Sequence, residues 1–140
     1  MYRYRSISYL SYVILAILVI QFLDGMWLNL FAVFPQVSSS FNAMNMMSFM
    51  FNYGPIFMLH MMSGFLLLIL GFIILAFSFM SKNSNIVIFS SIGLLAIILA
   101  GISGLLFMFS DFSNNIFSYM MSLGFIISIA SYTIIIGQRK

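Results

Sequence analysis

Four long apolar runs, separated by short polar segments, make up most of this sequence of 140 residues. The runs cover about residues 7–34, 56–80, 86–109 and 116–136. A transmembrane helix needs about 20 consecutive apolar residues, so each run is long enough to cross a bilayer. We therefore predict one all-α membrane domain over residues 1–140, built as a transmembrane four-helix bundle.

Polar or mixed segments predict the connections between these spans. The first run ends at Pro35, and we interpret residues 36–54 as a loop whose apolar middle, Met44 to Phe51, is suited to lie along the membrane interface. Residues 81–85 and 110–115 are short polar turns. The first run is too long for the core of a signal peptide and lacks a small-residue cleavage site, so we expect it to be retained as a helix.

Composition supports the membrane assignment and excludes several classes of function. The sequence is 64% hydrophobic and 5% charged, whereas a soluble domain is about one quarter charged. It has no cysteine, which excludes disulfides, thiolate metal sites and covalent attachment of c-type haem. The net charge of +3 is small and scattered, so we expect no nucleic-acid binding.

The basic residues predict the orientation in the membrane. All five flank alternate crossings, at Arg3, Arg5, Lys82, Arg139 and Lys140. The positive-inside rule then places both termini and the turn between spans two and three in the cytoplasm. We predict a multi-pass protein of the cell membrane with residues 36–54 and 110–115 outside.

Asp24 is the one acidic residue within the four apolar runs. An ionisable group in hydrocarbon costs at least about 2.5 kcal/mol, so we expect Asp24 to face protein or water and treat it as a candidate site. At a turn of about 100° per residue, Trp27 points away from the face that carries Asp24. That polar, small-residue face consists of Gln21, Asp24, Gly25, Leu28, Asn29 and Ala32.

His60 is the only histidine and lies about one turn inside the second span. Its axial separation from Asp24 is roughly 8 Å at a rise of 1.5 Å per residue, so the side chains or one water would bridge the two. A protonated His60 would cancel the charge of Asp24 in low dielectric. Gln21, Asp24, Asn29 and His60 thus form a predicted intramembrane polar site. Three roles stay open: hydrogen bonding between helices, haem or metal ligation by His60, and proton transfer.

Small residues in the third span predict a helix-packing face. Five of them fall within roughly 100° of arc at helical periodicity, namely Gly93, Ala96, Ala100, Ser103 and Gly104. Helix association in lipid relies on close packing of small residues, so we expect this face to contact another helix of the bundle. A helix of a partner protein is the alternative.

Two short segments suggest an internal repeat. His60-Met61-Met62-Ser63-Gly64-Phe65 resembles Tyr119-Met120-Met121-Ser122-Leu123-Gly124-Phe125, and both begin spans that enter from the same side. Two helical hairpins of one orientation would form a parallel repeat about an axis along the membrane normal. Chance similarity is the alternative in a chain with 13 methionines and 17 phenylalanines.

Three sequence features resemble those of a known family: Gln21-x3-Gly25, Pro35 and His60-x3-Gly64. On these the chain resembles one four-helix half of a haem A synthase, whose histidines bind haem near the outer ends of helices. It is also similar to small uncharacterised four-span proteins of archaea and actinobacteria, on Gly104-Leu105-Leu106-Phe107, Ser118 and Tyr132. The resemblance implies His60 as a cofactor-binding residue. Tyr119 stands where the repeat would place a second histidine, and the family's glutamates are absent, so we do not expect haem A synthesis.

Other chemistry finds little support. The methionines Met44, Met46, Met47 and Met50 are soft ligands suited to Cu(I), but an interfacial apolar turn explains the same residues. With one histidine, no cysteine and two aspartates on different elements, hydrolytic triads, nucleotide-binding loops and paired-carboxylate sites are absent. We expect no metal site and no catalytic residues.

These observations favour a small accessory subunit of a larger membrane complex, with a respiratory complex as the preferred setting. A chain with almost no extramembrane mass has little room for substrate chemistry, so we expect no catalytic activity of its own and no cofactor. The expected partners are the lipid bilayer and other membrane subunits. The alternatives are an electron carrier that binds haem b or quinone through His60, and a small transporter or proton conduit through Asp24.

Overall fold

The structure is a computed structural model that describes residues 2–32, 43–110 and 112–138. Four α-helices account for nearly all of them: α1 (Tyr2–Phe31), α2 (Ala43–Met80), α3 (Ser84–Phe109) and α4 (Asn115–Gly137). Each helix contains a segment long and apolar enough to cross a membrane. The predicted all-α fold with four membrane-length helices is confirmed.

The helices form a ring in which each packs against the next along the chain and α4 returns to α1. Within the described ranges, α1 lies diagonally opposite α3, and α2 diagonally opposite α4. Short turns join α2 to α3 and α3 to α4, which makes those neighbours antiparallel. The contacts between α1 and α2 are also antiparallel, because residues late in α1 meet residues early in the apolar part of α2.

Helix α2 is longer than the predicted second span. It begins at Ala43, so residues 43–54, which the sequence suggested were part of a loop, are helical. Alanine and methionine are good helix formers, and the helix continues through Pro55, although a proline removes one backbone donor and crowds the carbonyl four residues earlier. Its membrane-length apolar segment runs from Phe51 to Met80. Pro35 and the rest of the predicted loop before Ala43 lie outside the described residues.

The polar turns act as helix caps. The Asn83 side chain accepts a hydrogen bond from the backbone N–H of Asn85 at 3.0 Å and starts α3. The Asn114 side chain does the same for α4, accepting from the N–H of Ile116 at 3.1 Å. Such caps satisfy amide groups that have no partner inside the helix. The turn residues therefore fix where α3 and α4 begin.

The interior of the bundle is apolar but includes buried serines. Ser11, Ser78, Ser90 and Ser128 each donate to the carbonyl four residues earlier in their own helix. A hydroxyl bonded in this way satisfies itself and lets neighbouring helices approach closely. Large apolar side chains point outward on every helix, including Leu23, Phe65, Leu95 and Ile126. That distribution suits a chain surrounded by lipid rather than by water.

The small-residue face of α3 lies against α4. A Cβ added at Gly124 would lie 2.7 Å from the carbonyl oxygen of Ala96 and 3.0 Å from the Cβ of Ala100. At Gly93 an added Cβ would meet the ring of Tyr132 at 2.9 Å, and at Gly104 the sulfur of Met121 at 3.4 Å. Ser103, on the same face, is buried. Helix α4 is therefore the neighbour that this face contacts.

Candidate intramembrane polar site

Asp24 of α1 and His60 of α2 meet directly. The Nδ1 atom of His60 lies 2.6 Å from Oδ1 of Asp24, so the predicted bridge needs no intervening water. The Asp24 side chain is 6% exposed and that of His60 is 28% exposed. A buried carboxylate needs a partner, and His60 supplies a hydrogen-bond donor to it.

Gln21 and Ser63 extend this pair into a four-residue cluster. The Nε2 atom of Gln21 lies 3.2 Å from Nε2 of His60, and the Ser63 hydroxyl hydrogen-bonds to Oε1 of Gln21. The same hydroxyl also lies 3.0 Å from the backbone carbonyl oxygen of His60. We call Gln21, Asp24, His60 and Ser63 the polar cluster. Its hydrogen bonds cross between α1 and α2 at two successive turns of each helix.

Two glycines make room for the polar cluster. A Cβ at Gly25 would lie 3.0 Å from Cε1 of His60, and a Cβ at Gly64 would lie 3.4 Å from Nε2 of Gln21. Each glycine follows a cluster residue of its own helix by one turn and accommodates the cluster residue of the other helix. The Gln21-x3-Gly25 and His60-x3-Gly64 spacings therefore have a reciprocal packing reason.

Apolar side chains close the polar cluster along the bundle axis. Leu28 and Phe57 are buried together on the side toward the end of α1. Leu18 and Leu67 belong to the main core on the opposite side. The cluster thus occupies a short polar layer between two apolar layers, and its partly exposed members are His60 and Gln21.

One atom of the cluster lacks a partner. Among the residues that the structure describes, Oδ2 of Asp24 is buried and has no hydrogen bond. Buried polar atoms are rarely left unpaired, so this oxygen is the most unusual feature of the site. Asp24 is therefore held by one strong contact through Oδ1 and by none through Oδ2.

Not every predicted site residue joins the cluster. Asn29 is exposed on α1 and lies outside it, although it shares the polar helix face. Ser63 was not predicted as a site residue, and its position one turn after His60 is the signal in the sequence. Tyr119, the repeat counterpart of His60, is 67% exposed, so the two positions differ in environment.

The part of the chain that the structure describes contains no group of three or more His, Cys, Asp or Glu residues able to hold a metal. His60 is the one histidine available to a haem, and both its ring nitrogens face partners within the chain. Met47 of the methionine-rich segment is exposed, whereas the side chains of Met44, Met46 and Met50 lie outside the described residues. The geometry of the described residues therefore adds no support for Cu(I) binding by these methionines.

Comparisons of the chain with protein-family models, with curated proteins and with solved structures found no match. The resemblance to one half of a haem A synthase and to small archaeal and actinobacterial membrane proteins stays a prediction.

Proposed function

We propose that this chain is a small accessory subunit of a larger membrane complex, with a respiratory complex as the preferred setting. The observation that carries the proposal is the enclosure of the polar cluster. Both ring nitrogens of His60 are occupied, by Asp24 and Gln21, and apolar residues close the cluster along the bundle axis. A polar site whose histidine is bonded at both ring nitrogens within its own chain joins helices instead of binding a substrate.

The outer surface supports the same proposal. Each helix exposes large apolar side chains and contains a segment long and apolar enough to cross a membrane. Association between helices in lipid depends on packing and on occasional interhelical hydrogen bonds. A compact bundle with an apolar exterior is well suited to pack beside other membrane subunits, with both termini on the cytoplasmic side of the cell membrane.

The electron-carrier alternative requires a change in the cluster. A haem iron or a quinone bound by His60 needs a free ring nitrogen, and Nε2 becomes free only if Gln21 moves away. The Asp24–His60 contact resembles the arrangement in which a carboxylate orients a ligating histidine. That contact is the observation in favour of this second candidate.

The conduit alternative lacks a continuous relay. From Asp24 to Arg5, α1 rises roughly 28 Å at 1.5 Å per residue. Among the described residues of the four helices, no carboxylate, histidine, lysine or arginine lies between the polar cluster and Arg5 or Lys82. A proton path across the membrane would have to cross this distance through apolar side chains and serines.

Purification with site-specific photo-crosslinking tests the accessory role. A photoreactive residue is placed singly at the exposed positions Leu23, Phe65, Leu95 and Ile126, one on each helix, and at buried Ile97 as the control. We expect at least one exposed position to crosslink to a defined membrane subunit that also co-purifies in mild detergent. Crosslinks to lipid alone at all four exposed positions, with no co-purifying subunit, would contradict the proposal.

A further inference from the structure

We propose that the polar cluster is a proton-binding site in which His60 takes up a proton at Nε2 while the side-chain amide of Gln21 turns over to accept it. The inference does not depend on partner subunits, so it goes beyond the accessory role. It follows from counting the donors and acceptors of the four side chains.

The arrangement in the structure is that of a neutral histidine. Because Nε2 of Gln21 can only donate, Nε2 of His60 must accept, and the ring proton resides on Nδ1. Nδ1 then donates to Oδ1 of Asp24, and the Ser63 hydroxyl donates to Oε1 of Gln21. This assigns the Nδ1–H tautomer to His60, and each of these three hydrogen bonds then joins one donor to one acceptor.

After one proton is added, the same side chains can form a second set of hydrogen bonds with heavy atoms at the same positions. Turning the Gln21 amide by half a rotation exchanges its oxygen and nitrogen. His60 Nε2–H then donates to Oε1, and the amide nitrogen of Gln21 donates to the Ser63 hydroxyl. Ser63 in turn donates to the backbone carbonyl of His60, which already lies 3.0 Å away. No helix has to move for the proton to be accommodated.

The added proton is placed by the acceptor that the cluster offers it. A proton on Nε2 of His60 gains an acceptor in Oε1 when Gln21 turns, whereas Oδ2 of Asp24 makes no hydrogen bond among the described residues. Uptake at His60 also brings the cluster from one negative charge to zero when Asp24 is ionised. A neutral pair is less costly than a lone carboxylate in a low-dielectric layer.

Among the residues that the structure describes, Asp24 is the one charged neighbour of His60. On α1 the next charged residue is Arg5, about five helical turns from Asp24, and α3 carries no ionisable side chain. The tyrosines of α4 are Tyr119, exposed at the bundle surface, and Tyr132, buried in the main core. The His60 side chain is 28% exposed, so the bundle does not fully enclose the ring.

Nitrogen-15 NMR of the full-length chain in detergent micelles tests the proposal without ambiguity of assignment, because the chain has one histidine. At high pH we expect a protonated Nδ1 and an unprotonated Nε2. On acidification both ring nitrogens should become protonated, and the Gln21 side-chain amide signal, assigned by its loss in Gln21→Leu, should shift with the same midpoint.

Gln21→Glu gives a second readout, since an ionised carboxylate can only accept. We expect both ring nitrogens to be protonated in this variant at a pH where the wild-type ring is neutral. Asn29→Asp adds the same charge at an exposed position on α1 and should leave the wild-type tautomer unchanged. Should Gln21→Glu fail to fold, the wild-type titration still decides the question.

Four results would overturn the proposal. They are an Nε2–H tautomer in the neutral state, an Asp24 carboxyl that protonates in place of the ring, a ring that never titrates while the protein stays folded, and a ring that titrates while the Gln21 signal stays still.

Discussion

Replacing Gly124 by alanine tests the closest helix contact in the bundle. The added Cβ would lie 2.7 Å from the carbonyl oxygen of Ala96 and 3.0 Å from the Cβ of Ala100. One of these is a backbone atom, which no side-chain rotation relieves, so α3 and α4 must separate locally. Overpacking of this kind typically costs about 1–3 kcal/mol.

The matched control is Gly101→Ala on α3, where an added Cβ meets nothing within 4 Å. Both substitutions remove a glycine from a helix interior and gain up to about 1 kcal/mol of helix propensity, which cancels in the comparison. The difference between the two variants therefore isolates the contact between α3 and α4. We expect Gly124→Ala to be less stable than Gly101→Ala by about 1–3 kcal/mol.

Thiol accessibility provides the assay, because the chain contains no cysteine. A single cysteine replaces the fully buried Ser90 in the wild type and in both variants. Its labelling by a thiol reagent, followed through a titration of mixed micelles with denaturing detergent, gives the free energy of unfolding. Equal free energies for Gly124→Ala and Gly101→Ala would mean that α3 and α4 are not packed as closely as the structure has them.

Three further predictions concern the polar cluster and the topology. Gly25→Ala would place a Cβ 3.0 Å from Cε1 of His60. We expect this variant to be about 1–3 kcal/mol less stable than Gly101→Ala in the same unfolding assay. Equal stability would mean that the His60 ring does not lie over Gly25. Single cysteines at two exposed residues, Ser84 at the start of α3 and Ser113 before α4, should react differently with an impermeant reagent added outside, with labelling at 113 only. Labelling at 84 alone would reverse the predicted orientation. The purified chain should show no stoichiometric haem in a reduced-minus-oxidised spectrum, because Gln21 and Asp24 occupy the His60 ring nitrogens; about one haem per chain, lost in His60→Ala, would instead support the electron carrier.

The sequence alone determined the number of helices and the residue most costly to bury. The lengths of the apolar runs specify four membrane helices, because backbone groups in lipid must be paired within the segment. The third and fourth spans match α3 and α4 closely, since polar turns with capping asparagines bound them. Helical periodicity also placed Gln21 and Asp24 on one face of the first span. The similar depths of Asp24 and His60 in the membrane predicted that their side chains would lie close together.

Only the tertiary structure decided which of these residues meet. Periodicity assigns Asn29 to the same face as Asp24, but in the packed bundle Asn29 is exposed and Ser63 of α2 contacts Gln21. The start of α2 at Ala43 was also missed, because Gly54 and Pro55 suggest a helix end that this helix passes through. The pattern of polar and apolar residues in a sequence defines the faces of each helix. Which faces meet, and how two helices align along their axes, depends on how the helix surfaces fit together.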